Sequence, residues 1–238
     1  MRVTGRKYAI TGAGRGLGAA LAIVMADAGS HLVLLGRSEA ALGETAAIIR
    51  DRTGRGVDTL LCDLADRESS AAAGARLAAG HPDLDGLIHN GAMWLDERLD
   101  DVSDAGIEAC IASAAIGALI LTRHVLPGLK ARPDADIHTV VSTSGLQNRR
   151  QPGGGTPFRA AKSAQAGMVQ GLADELAETR IRVTSVFPSY IDDISPADPA
   201  WSVPPGSRHA LSNREVVEAI LFILNLPPNV AVPTLVIE

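Results

Sequence analysis

Near its amino end the chain reads Thr11-Gly12-Ala13-Gly14-Arg15-Gly16-Leu17-Gly18, and few folds can accommodate that stretch. It follows a short apolar run, Tyr8-Ala9-Ile10, and precedes Ala19 to Ala28, an alanine-rich segment that reads as helix. Strand, glycine turn and helix in that order make the opening unit of a parallel, helix-covered sheet of the kind that binds dinucleotides. The glycines permit a sharp turn and a close backbone approach to an anion. The first turn of the helix then presents unpaired N–H groups and a positive dipole end. The common G-x-G-x-x-G spacing fails, because from Gly12 it needs glycine where Leu17 stands. The pattern that fits is T-G-x-x-x-G-x-G, from Thr11 through Gly12 and Gly16 to Gly18.

The rest of the chain repeats the alternation. His31 to Leu35 reads as a buried parallel strand, and Ser38 as the cap of a helix from Glu39 to about Thr53. Further strands are expected at Val57–Cys62, Gly86–His89, Ile137–Val141, Ile181–Phe187 and Thr234–Ile237. Helices are expected at Arg67–Ala79, Phe158–Thr179 and Asn213–Asn225, with a long one from about Val102 to Lys130 broken by Pro127-Gly128. This alternation predicts an α/β fold: a single doubly wound, Rossmann-type, mostly parallel seven-stranded sheet with helices on both faces. It fills residues 1–238 as one domain, and a loop over about 189–207 shapes a substrate pocket. Ligands in such sheets bind beyond the carboxyl ends of the strands, so the loops after Ile10, Leu35, Cys62, His89, Val141 and Phe187 gather on one edge.

Charge narrows the partners. A net charge of −5 without a lysine/arginine block argues against nucleic acid and a membrane surface, leaving a small-molecule substrate. Cys62 and Cys110 have no motif spacing and read as free buried thiols. His31, His81, His89, His124, His138 and His209 are scattered, so no metal site is expected; His89 reads as a strand-end histidine bonded to backbone. Residues 1–7 are polar, and the apolar stretch around Ile111 to Leu121 is too short to span a bilayer, so a cytoplasmic location is expected.

The motifs together resemble the short-chain dehydrogenase/reductase family over nearly the whole chain. The matches are Thr11 to Gly18, Asp63-Leu64, Asn90-Gly91-Ala92, Ser144 and Lys162; the family's N-N-A-G element appears as His89-Asn90-Gly91-Ala92. The resemblance implies a nicotinamide cofactor held by Gly12, Arg15, Gly16, Leu17 and Gly18. It implies adenine near Asp63 and Leu64, further contacts from Asn90, Gly91, Lys162 and Ile191, and Pro188 beside the nicotinamide. Charge favours NADP: Gly36-Arg37-Ser38 offers no acid for a ribose 2′-hydroxyl before Glu39, and Arg15 adds a second cation suited to a 2′-phosphate. A homodimer or homotetramer is also implied, through the small-residue faces at Ala112–Ala118 and Ala160–Gly167.

The catalytic residues depart from the pattern. In the family, a tyrosine four residues before the lysine gives or takes the proton, and an asparagine in the long helix helps a proton relay. Here those positions are Phe158 and Ala114. Ser144 is the carbonyl-orienting serine, with Ser142 as an alternative because the loop to Phe158 is one residue longer than the family pattern leads one to expect. Phe158 has three readings: natural loss with another acid, a non-redox use of the scaffold, or an engineered Tyr→Phe change. A surviving reductase would draw its proton from Ser144, Lys162, Tyr190 or water, with Lys162 favoured. Trp94 and Tyr190 read as substrate-pocket walls. Asp192 and Asp193 stand where the family usually has a threonine region touching the cofactor amide; they are solvated loop charges or readers of a basic group. Arg149 and Arg150 face solvent or an anionic substrate. The expected function is NADPH-dependent reduction of a ketone or related carbonyl of a small-molecule metabolite. A cyclase, dehydratase or isomerase is the alternative, and a nucleotide-binding partner protein a third.

Overall fold

A computed structural model describes residues 1–148, 153–203 and 211–238. In chain order the elements are β1 (Lys7–Thr11), α1 (Gly16–Asp27), β2 (His31–Gly36), α2 (Glu39–Thr53), β3 (Asp58–Leu61), α3 (Arg67–Gly80) and β4 (Gly86–His89). Then come α4 (Asp104–Ile111), a π turn (Ala112–Ile116), α5 (Gly117–Lys130), β5 (Ala135–Val140), α6 (Thr156–Glu175) and β6 (Ile181–Pro188). The chain ends through β7 (Ile191–Asp192), β8 (Leu211–Ser212), α7 (Asn213–Asn225) and β9 (Thr234–Ile237).

Seven strands form one sheet in the order β3-β2-β1-β4-β5-β6-β9, and each pairing in it is parallel. The order reverses at β1, so β1 and β4 form the switch point where the first and fourth loops diverge. Every residue of β5 and β6 is buried, as parallel strands covered on both faces must be. Alternate strand residues feed two cores. Val33, Leu35, Leu87 and Ile137 pack with α3, α5 and α6; Tyr8, Ile10, Leu34 and Val186 pack with α1 and α7.

Local chemistry sets the helix starts. Ser38, Asp66 and Ser103 each accept an N–H from the first turn of α2, α3 and α4, and Gly54 ends α2 at φ 69°. Ser212 and Glu215 form a capping box on α7.

The expected break at Pro127-Gly128 is absent: α5 continues through Pro127 to Lys130. The hydrogen bond that proline forgoes would have gone to the carbonyl of Arg123, and both residues lie on the exposed face. Buried Val125 and Leu129 hold the last turn on the core. The interruption falls instead at the π turn, where the N–H of Gly117 bonds back five residues to Ala112. The long helix starts at Asp104 rather than Val102, and β3 is the shorter edge strand Asp58–Leu61. The β7–β8 ladder, not anticipated from sequence, ties the segment after β6 to the start of α7.

Candidate active site

The first loop is built by close packing. A Cβ on Gly12 would fall 2.7 Å from the Cα of Gly91, and one on Gly18 2.2 Å from the carbonyl oxygen of Gly12, so neither position admits a side chain. Thr11 and Asn90 clamp this turn to the end of β4. The Thr11 hydroxyl accepts the N–H groups of Asn90 and Gly91, each at 3.0 Å, and the Asn90 amide donates to the Thr11 carbonyl at 3.2 Å. The turn also leans on β2, through Ala13 N–H to the Leu35 carbonyl at 3.0 Å. Arg15 and Arg37 thereby sit in neighbouring loops. Both are exposed, and neither is ion-paired among the described residues.

Asp63 turns one carboxylate oxygen onto the N–H of Ala65 at 3.0 Å, fixing the loop after β3. Leu64 is buried behind Gly91 and against Gly117. Pro188 is buried at the end of β6, and Ile191 lies half-buried in the β7–β8 ladder. Asp193 holds its carboxylate against the glycine turn: a Cβ on Gly16 would lie 3.1 Å from its Oδ2. Sequence reading took this acid as a solvated loop charge or a reader of a basic substrate group; the structure leaves it exposed, with its carboxylate beside the glycine turn.

At the other end of the edge, Phe158 and Trp94 meet with ring centroids 4.5 Å apart and planes at 63°. Phe158 is buried with Leu95, Cys110, Ala114 and Ala161, while Trp94 is half-exposed. Under the Phe158 ring lies Lys162, its Nζ 5.8 Å from the ring centroid. The amine donates to the Val140 carbonyl at 3.2 Å and to Gln165 Oε1 at 2.9 Å. Burial pushes this amine down to about 7, with the Cys110 thiol pulling weakly the other way. Gln165 in turn donates from Nε2 to the Ala114 carbonyl at 3.1 Å. Sequence reading missed Gln165; its one signal is a polar residue three positions after Lys162, on the stripe of α6 that carries Ala161 and Met168.

Ser142 accepts the N–H of Ser144 at 3.1 Å and stays half-exposed; Ser144 is buried. Tyr190, read as a pocket wall, is 74% exposed. His89 is fully buried and bonded to the Thr122 hydroxyl at 2.8 Å rather than to backbone, and burial pushes it down to about 4, so it is neutral at pH 7. Beside Trp94 runs an open groove of about 850 Å³ lined by Asp96, Arg98, Asp100, Gly154 and Thr156. Arg149, Arg150, His209 and part of the expected substrate loop, 204–207, lie outside the described residues.

The profile of the family described as short chain dehydrogenase matches residues 6–199. The chain belongs to that family. It is 30% identical over 223 residues to an uncharacterized oxidoreductase of Staphylococcus saprophyticus, covering 94% of this chain and 92% of that one. An uncharacterized oxidoreductase of Staphylococcus aureus is 26% identical over 230 residues, covering 97% and 95%. Among solved structures, L-sorbose reductase from Gluconobacter frateurii, complexed with NADPH and L-sorbose, superposes with a TM-score of 0.84 at 21% identity, covering 99% of this chain and 96% of that one. An alcohol dehydrogenase from Thermococcus sibiricus, complexed with 5-hydroxy-NADP, gives 0.82 at 24%, covering 98% and 95%. These two likenesses establish the fold, whose glycine cradle, helix N-terminus and two arginines without ion pairs among the described residues suit a dinucleotide. The Asp193 carboxylate beside Gly16 runs against an anionic guest.

Proposed function

We propose that this chain is an NADP(H)-dependent oxidoreductase that reduces a ketone or related carbonyl of a small-molecule metabolite without a tyrosine acid. The observation that carries the reading is the close-packed glycine cradle flanked by Arg15 and Arg37, both exposed and without ion-pair partners among the described residues. Two planar guanidinium groups suit a 2′-phosphate, and no carboxylate stands between β2 and Glu39 to hold a ribose 2′-hydroxyl instead. The family membership, the oxidoreductase names of the relatives and the NADP-type ligands of two structural neighbours support the same direction.

In this reading Gly12, Gly16, Leu17 and Gly18 take the diphosphate against the N-terminus of α1, and Asp63 and Leu64 take the adenine. Asn90, Gly91, Pro188 and Ile191 border the nicotinamide half, and the bound cofactor supplies the hydride. Lys162 has two of its nitrogen positions already spent on Val140 and Gln165. The remaining position carries a third N–H when charged and a lone pair when neutral, so it either donates to a ribose hydroxyl or takes a proton. Ser144 or Ser142 orients the carbonyl, and Trp94 and Phe158 wall the pocket.

The test is calorimetric titration with NADPH and NADH, followed by cofactor oxidation across a panel of ketones and aldehydes. NADPH is expected to bind at least about tenfold tighter, a preference that Arg15→Ala plus Arg37→Ala removes. Equal affinity for both dinucleotides overturns the NADP assignment, and no NADPH consumption with any carbonyl overturns the reductase.

A second reading, a non-redox enzyme such as a cyclase, dehydratase or isomerase, is favoured by Phe158, Ala114 and the Asp193 carboxylate on the glycine turn. Product formation without cofactor consumption distinguishes it. We also propose a cytoplasmic homodimer or homotetramer, supported by Ile116 and Leu119, which stay about half-exposed on the long helix; sedimentation as a monomer contradicts the assembly.

A further inference from the structure

We propose that Gln165 is the positioning residue of Lys162: its amide spans from the lysine amine to the Ala114 carbonyl and holds the amine at an inward station. The proposal rests on the reading of Lys162 as the group that meets the ribose or the substrate proton.

Gln165 has no solvent exposure, yet both ends of its amide are engaged. Oε1 accepts from Lys162 Nζ at 2.9 Å, which fixes the amide so that Nε2 faces Ala114 and donates at 3.1 Å. Ala114 lies in the π turn, where the helical ladder changes register, so a lateral donor meets the backbone there. Besides Lys162 itself, the neighbours of Gln165 on the inward stripe of α6 are Ala161, Met168 and Val169, all apolar and buried. An apolar residue would complete that stripe; an amide instead links the amine to the long helix.

Few other groups act on the amine. β5 offers the Val140 carbonyl, α6 offers the Phe158 ring and Gln165, and Cys110 of α4 is the titratable neighbour; no carboxylate acts on it among the described residues. The Gln165 carbonyl is thus one of two acceptors that favour the charged amine against burial. It also fixes the direction in which the remaining position of the nitrogen points.

The chain contains only three lysines, Lys7, Lys130 and Lys162, so lysine-selective NMR of the full-length protein follows Lys162 directly, with Lys162→Met identifying its signal. Gln165→Met removes the acceptor at similar volume, and Gln165→Glu replaces it with a charged one. The Lys162 midpoint is expected to fall by about half a unit or more in Gln165→Met and to rise by about one unit or more in Gln165→Glu. The midpoint of the pH profile of NADPH binding should move the same way. A Lys162 midpoint unchanged in both variants, whatever their melting temperatures, means that Gln165 only packs and overturns the proposal. If Gln165→Met does not fold, Gln165→Glu decides alone. If no form of the protein binds NADPH, the cofactor reading fails while the lysine titration still decides the role of Gln165.

Discussion

Position 158 sets what this site can do with a proton. The Phe158 ring lies over the Lys162 amine, so Phe158→Tyr places a hydroxyl at the edge of a site that already has its lysine. General acid–base help is worth about 10²–10⁴-fold, and Phe158→Tyr is expected to raise kcat/KM for NADPH-dependent carbonyl reduction by at least about tenfold. Steady-state kinetics on the substrate found in the carbonyl panel measure it; an unchanged or lower kcat/KM means the pocket is built for other chemistry. Asp193 carries a second prediction. Its carboxylate faces the Gly16 turn, where a diphosphate would sit, and like charges there repel. Asp193→Ser is expected to tighten NADPH binding several-fold, most strongly at low salt, as read by calorimetry; weaker binding would show that the acid serves the cofactor. The glycine turn was singled out in the sequence by its spacing after the first strand, and Asn90 and Lys162 through the family resemblance. Gln165 was not, because one polar residue in a helix carries no period. The contact of Asp193 with the first loop was not either, because it depends on how two distant loops fold over each other.

At the scale of elements, the alternation of apolar strands and helices gave the order of the fold, since strands covered on both faces read as continuous apolar runs. The internal break of the long helix was misplaced. Proline is a strong local signal, but its cost depends on where the freed carbonyl points, and Arg123 faces outward. The actual irregularity, the π turn over Ala112–Ile116, is written in small residues without a breaker among them. The fit between the start of α1 and the first turn gives a prediction of its own. A methyl group on Gly18 would meet the Gly12 carbonyl at 2.2 Å, far inside contact distance. Gly18→Ala must push α1 away from β1, an overpacking cost of about 1–3 kcal/mol. Denaturant unfolding should show that loss together with an NADPH affinity reduced at least about tenfold. Native stability and native affinity in Gly18→Ala would mean the turn is looser than its packing shows.

For the whole molecule, burial of polar groups links stability to pH. Asp136 and Arg182 form a buried ion pair at 2.9 Å near the opposite, amino-terminal edge of the sheet, with Arg2 on the second Asp136 oxygen at 2.6 Å. Removing one member of such a set costs about 3–5 kcal/mol, so that edge fixes the strands while the carboxyl-terminal edge stays available for ligands. Two histidines set the acid limit. His89 and His138 are fully buried, bonded to Thr122 and Thr184, and burial pushes them down to about 4 and about 3 from an ordinary 6.5. The folded protein therefore keeps both neutral while the unfolded chain takes up protons below pH 6.5, so the unfolded state binds more protons and stability is lost as pH falls. With both groups contributing fully the slope is about 3 kcal/mol per pH unit, a large share of the roughly 5–15 kcal/mol that a typical domain has in total. Lys162 acts in the same sense at higher pH: its amine sits at about 7 when folded, so stability rises from pH 7 toward its ordinary 10.5. The expected profile is a melting temperature that climbs from pH 4 through 9 at fixed protein concentration, steepest below 6.5. His138→Gln should flatten the acid limb by roughly half, and Lys162→Met the alkaline limb. An acid limb unchanged in His138→Gln would place the acid sensitivity in the carboxylates of the ion-paired edge instead.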